Sequence, residues 1–206
     1  MESLYSPEQN KLKVVEAVGI KEVGNLLLNS VPGMVVLDLD FTLKPEEYEL
    51  GMGGKEPGRL PDESMELLRQ LKSRGWKTLV VTNQPIEGHQ VARAVRKVKG
   101  ANYPIFPNDV VNELGKENVL GAGLDFLISK FKKSAIAIEK TSDWIGRNGN
   151  GVDGQLVFVG DRDGDVEFAQ KVADKSGRDS LSKRIFYKVK GLSLPGPFKK
   201  LERFIP

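Results

Sequence analysis

Met34-Val-Val-Leu-Asp38-Leu-Asp40-Phe-Thr42-Leu43 is the stretch that decides the fold. Pro32-Gly33 opens it, and its short, β-branched apolar run reads as a buried strand. The run ends in two carboxylates and a hydroxyl spaced two residues apart. In an extended chain such residues project to one side, so Asp38, Asp40 and Thr42 are expected to leave the strand end together. Neighbouring acids at the end of a hydrophobic strand are costly without a cation or a hydrogen-bonding partner. Open α/β sheets bind their ligands outside the carboxyl ends of the strands. Taken alone, the stretch reads more simply as two acidic turn residues closing a strand.

Two further apolar runs end in similar chemistry. Leu79-Val80-Val81 is followed by Thr82-Asn83-Gln84, and Leu156-Val157-Phe158-Val159 by Gly160-Asp161-Arg162-Asp163-Gly164-Asp165. The order Asp-x-Asp-x-Thr, strand-Thr-Asn, a lysine, then strand-Gly-Asp-x-x-x-Asp resembles the haloacid dehalogenase (HAD) superfamily of phosphatases, in its third subfamily with a minimal cap. The resemblance spans roughly residues 31 to 175.

The intervening residues alternate strand and helix. Leu60 to Lys77 predicts a helix with Asp62 and Glu63 at its positive end and Gly75 as its stop, followed by a strand over Thr78–Val81. Gly88 to Lys99 and Val119 to Lys133 read as helices, and residues 101 to 118 as a substrate-facing loop. Ser134-Ala-Ile-Ala-Ile-Glu139 reads as an apolar run ending at Lys140, with a short helix beginning at Thr141. A helix over Val166–Ala173 and a strand over Arg184–Val189 complete the pattern. The expected fold is a three-layer α/β/α sandwich around a central parallel, Rossmann-like sheet of the HAD type. Residues 1–30 read as a helical extension, from the spacing of Leu12, Val15 and Val18, and residues 31–206 as one catalytic domain. A flap at about residues 44–60 is too short to fold as a cap domain.

Composition narrows the chemistry. Hydrophobic content of 39% and charged content of 29% fit a soluble globular domain. With no cysteine, there are no disulfides, thiolate sites or cysteine nucleophiles. The one histidine, His89, excludes multi-histidine metal sites and reads as a surface residue. No apolar run reaches membrane-spanning length. The first residues lack the charge and apolar pattern of a secretory signal, so a cytoplasmic protein is expected. The net charge of +3 hides a basic end: from Lys171 onward, ten lysines and arginines face three acids. That end reads first as solvated surface and second as an attractor of phosphate-bearing partners.

The resemblance implies a phosphomonoester hydrolase working through an aspartyl-phosphate. Asp38 is implied as nucleophile and Asp40 as general acid and then base. Mg²⁺ is the implied cofactor, held by Asp38, Asp161 and Asp165 with the Asp40 backbone carbonyl as a further ligand. Thr82 and Asn83 are implied phosphate contacts. Lys140 is the chosen phosphate-binding lysine, with Lys130, Lys132 and Lys133 as competitors, and Thr42 is expected to steady the first loop. Asp163 is left outside the ligand set. A calcium loop counted from Asp161 fails, because its twelfth position is Val172 rather than glutamate.

The expected substrate is a small phosphorylated metabolite. A polynucleotide 3′-phosphatase of the same superfamily is the alternative within the class, since Thr82-Asn83-Gln84 is similar to that branch. A non-catalytic HAD-like interaction module and a phosphorylation-dependent receiver domain rank lower. The receiver domain would need an early acidic pair with its phosphorylated aspartate at a later strand end.

Overall fold

The computed structural model describes residues 12–44, 59–82, 97, 108–121, 135–150, 152, 154–176 and 183–190. Six strands form one all-parallel sheet: β1 (Lys13–Ala17), β2 (Met34–Asp38), β3 (Lys77–Val81), β4 (Val119–Leu120), β5 (Leu156–Gly160) and β6 (Arg184–Val189). Their spatial order is β1-β6-β5-β2-β3-β4. The described helices are α1 (Ile20–Leu28), α2 (Asp62–Ser73), α3 (Asn108–Leu114), α4 (Ala135–Asn148) and α5 (Asp163–Lys175). They cover both faces of the sheet, giving the expected α/β/α sandwich.

Side-chain alternation along β2 divides the core. Val35 and Leu37 pack with α1 and α2 residues such as Leu27, Leu68 and Leu71. Met34 and Val36 point the other way, with Phe158 and Phe186, onto Trp144 of α4 and Phe168 of α5. Strands buried on both faces are continuous apolar runs, which is why β2 and β5 are legible as MVVL and LVFV.

From β2 the chain adds β3 and then β4 on one side. It then crosses to the other side of β2 for β5 and β6. The order therefore reverses between β2 and β5, where a parallel sheet opens a crevice at its carboxyl edge. At the opposite end of the same pair the backbones nearly touch. A Cβ at Gly33 would strike the Gln155 backbone oxygen, and one at Gly154 the Pro32 oxygen.

Several local expectations are corrected. Residues 13–17 are not helical: they form β1 and pair in register with β6 from Lys13↔Ile185 to Ala17↔Val189. This strand lies at the sheet edge with three exposed residues, so its apolar spacing mimics a helical period. Residues 12–28 are thus built into the sheet and core, with a helix only over Ile20–Leu28. Val119 opens β4 rather than a helix, and Asn108–Leu114 is helical rather than loop. The run from Ala135 is the first half of α4, which continues through Thr141 and Gly146 to Asn148. Alternating alanine and isoleucine suits a helix face as well as a strand.

Candidate metal and phosphate site

Asp38 is the last residue of β2 and is 8% exposed. It belongs to the row of Met34 and Val36, so its side chain leaves on the α4–α5 face. β5 lies alongside in parallel, with Leu37 opposite Val159. One residue past its end comes Asp161, whose side chain is 11% exposed, followed by the first turn of α5. Asp165 in that turn is also 8% exposed and accepts a hydrogen bond from the Arg162 backbone N–H at 3.2 Å. One carboxylate oxygen from each of Asp38, Asp161 and Asp165 lies within 4.8 Å of the others.

Gly160 makes that convergence possible. A Cβ there would sit 2.7 Å from the Asp165 Cβ and 2.8 Å from its Oδ2. Without a side chain at the end of β5, Asp165 folds back over the strand toward Asp38.

Strand geometry does not persist beyond Asp38. The chain turns through Leu39–Leu43, with Phe41 at φ +60°, a left-handed conformation uncommon for a phenylalanine. Phe41 N–H donates to the Lys44 carbonyl, and Lys44 N–H to the Leu39 carbonyl, both at 2.9 Å. Ser64 at the start of α2 donates its hydroxyl to the Leu43 carbonyl at 2.6 Å. Asp38 and Asp40 are therefore not parallel projections. Asp38 faces the β5 side, whereas the Asp40 carboxylate accepts a hydrogen bond from Thr82 Oγ1 at 3.1 Å, on the β3 side. Thr82 is fully buried, immediately after β3. Thr42 is buried too, but its hydroxyl makes no hydrogen bond among the described residues, so the backbone bonds and Ser64 hold this loop instead.

Cations surround the acids. Arg162 Nε is 3.4 Å from Asp161 Oδ2, and its guanidinium lies 5.2 Å from the centre of the Phe41 ring. It thus ties the loop after β5 to the loop after β2. Lys44 is fully buried in the turn that presents Asp40. Lys188, near the end of β6, places its Nζ 2.6 Å from Asp163 Oδ1. That hydrogen bond, with the charges of Asp163, Glu16 and Asp161, holds the Lys188 ammonium above its ordinary pKa of 10.5 despite partial desolvation.

The structure thus gathers Asp38, Asp161 and Asp165 into one cluster and sets Asp40 beside Thr82. Asp163 stands apart, its side chain 90% exposed. Lys140 is misplaced by the sequence reading: it lies exposed within α4, not at a strand end. Asn83, His89, Lys130, Lys132, Lys133 and nearly all of the 44–60 flap lie outside the described residues. Sequence reasoning missed Lys44, Arg162 and Lys188. The last predicted strand puts Lys188 near the same sheet edge as the acids, but only the register across β6, β5 and β2 sets it in their row.

Three carboxylates this close repel one another, by about 1 kcal/mol per pair at 4 Å even in water. An all-oxygen donor set suits a hard divalent cation. The three donor atoms lie close enough together to share one such ion. Among the described residues, no helix is long and apolar enough to cross a membrane. No family model matches the chain, and neither a curated protein nor a solved structure matches it.

Proposed function

We propose that this chain is a Mg²⁺-dependent phosphomonoester hydrolase of the HAD type, acting through an aspartyl-phosphate on a small phosphorylated metabolite. The observation that supports it most is the meeting of Asp38, Asp161 and Asp165 within 4.8 Å at the point where the strand order reverses.

The chemistry follows from what each group can do. An Asp38 oxygen attacks phosphorus, and the bond from phosphorus to the leaving oxygen breaks. Asp40 gives its proton to that oxygen and becomes a carboxylate. In the second step Asp40 takes a proton from water as the water oxygen attacks the phosphorus on Asp38. This frees phosphate and restores both side chains. Thr82 orients Asp40 through their 3.1 Å hydrogen bond, keeping it apart from the triad so that the two aspartates take different roles, one as nucleophile and the other as acid and base. A divalent cation held by Asp38, Asp161 and Asp165 would supply the positive charge that lets a carboxylate approach an anionic phosphate. Arg162 and Lys188 add fixed positive charge at the rim.

The test is a hydrolysis screen with Mg²⁺ over sugar phosphates, nucleotides and 3′-phosphorylated oligonucleotides, with Asp38→Asn as control. Turnover of a small phosphate ester that Asp38→Asn abolishes is the expected result; no turnover of any class overturns the reading. The basic end of the chain makes a 3′-phosphorylated oligonucleotide the second substrate class. Its mark would be turnover that salt suppresses steeply while small esters are spared.

A further inference from the structure

We infer that Lys188 is a substrate-contacting residue that binds the phosphate by exchanging its Asp163 partner for a phosphoryl oxygen. This rests on the phosphatase reading above and adds a cation that the sequence motifs do not contain.

The argument begins with the sheet register. Lys188 lies directly opposite Gly160, and the β2–β5 ladder continued by one residue sets Gly160 opposite Asp38. Phe186 and Phe158 share a core with Met34 and Val36, so Lys188, Gly160 and Asp38 form one row on one face of the sheet. The middle member has no side chain, and Asp165 occupies its place. Two strand spacings separate the ends of the row, about 10 Å between backbones. A lysine reaches more than half of that. Lys188 and Asp38 thus stand on opposite sides of Gly160, with Asp165 between them.

The present partner of Lys188 does not account for its placement. Asp163 is 90% exposed, whereas the lysine side chain is only 30% exposed. An ion pair with so exposed an acid adds little to stability. Asp163 instead holds the ammonium at the rim, close enough to Asp161 for the two charges to interact. A phosphate arriving at the triad offers that ammonium more charge than a solvated carboxylate does.

The experiment is titration of the full chain in Mg²⁺ with inorganic phosphate, followed by ³¹P line broadening, alongside turnover. Lys188→Met should weaken phosphate binding at least about tenfold, the scale of one charge-assisted hydrogen bond. Lys188→Arg should stay within about threefold of the original chain, with its cation kept. Asp163→Asn should bind phosphate equally well or better, because it releases the ammonium. If Lys188 only tethers the loop after β5, Asp163→Asn and Lys188→Met will weaken binding alike, and the inference is overturned. It is equally overturned if Lys188→Met binds phosphate as tightly as the original chain. Lys188-dependent binding without turnover of any ester would leave the inference standing and remove the phosphatase reading.

Discussion

Thr82 donates its hydroxyl to the Asp40 carboxylate across 3.1 Å, joining the end of β3 to the loop that follows β2. Both residues come from short runs past strand ends, and the bond fixes the direction of the group that the proposed mechanism has passing a proton in both chemical steps. Thr82→Val keeps the buried shape and removes only the donor. A hydrogen bond to a charged group is worth about 1.5–3 kcal/mol, so kcat should fall by roughly 10- to 150-fold with KM little changed. Steady-state kinetics on any ester that the chain hydrolyses will check this. Unchanged kcat would remove Thr82 from the machinery.

A cation held by the carboxylate triad should stabilise the fold. At Mg²⁺ about 100 times its dissociation constant, the folded chain should gain about 2.7 kcal/mol, raising the melting temperature by roughly 5–10 °C over EDTA. Asp161→Asn should lose most of that shift. In EDTA it should melt no lower than the original chain, because it removes one of three crowded like charges. Identical melting of the original chain in Mg²⁺ and EDTA would argue against the cation site.

Gly160→Ala probes the packing that creates the triad. The added Cβ would lie 2.7 Å from that of Asp165, so the first turn of α5 must move. The expected loss is about 1–3 kcal/mol on urea unfolding, together with a weaker Mg²⁺ shift. Original stability with an intact shift would mean that Asp165 does not need the missing side chain.

The ion pair of Lys188 and Asp163 gives a signed pH dependence. The Lys188 pKa in the folded chain is raised above 10.5, chiefly by the hydrogen bond that its ammonium donates to Asp163. The pair's contribution is therefore complete below that value and fades as the pH climbs through the raised one. Both groups are partly open to water, so the contribution is small, about 0.2–1 kcal/mol. The stability difference between the original chain and Asp163→Asn should stay flat from pH 7 to about 10 and shrink above. A difference that grows with pH would contradict this.

The central strands were legible because burial on both faces leaves no choice of residue. MVVL and LVFV can be little else, and the acids that follow them lie where an α/β sheet opens its crevice. The edge was not legible. In β1, alternation is blurred because Lys13, Val14 and Glu16 are all exposed, and only pairing with β6 reveals a strand. Ala135–Glu139 failed for the opposite reason, since a short apolar run fits either period. That run underlay the choice of Lys140, which lies within α4 rather than at a strand end. Within the site, Asp38 was readable from strand parity but Asp40 was not, because parity ends at a turn through Phe41 at φ +60°. Lys188 needed the register across β6, β5 and β2, which no local pattern carries.

The central claim is that Asp38 becomes phosphorylated while Asp161 and Asp165 help hold the cation beside it. Peptide mass analysis of the chain, acid-quenched during turnover of a phosphate ester in Mg²⁺, tests it most directly. The account predicts one phosphoryl group on the peptide carrying Asp38, lost in Asp38→Asn and in EDTA. Turnover with that peptide unmodified, or with Asp38→Asn as active as the original chain, would contradict it.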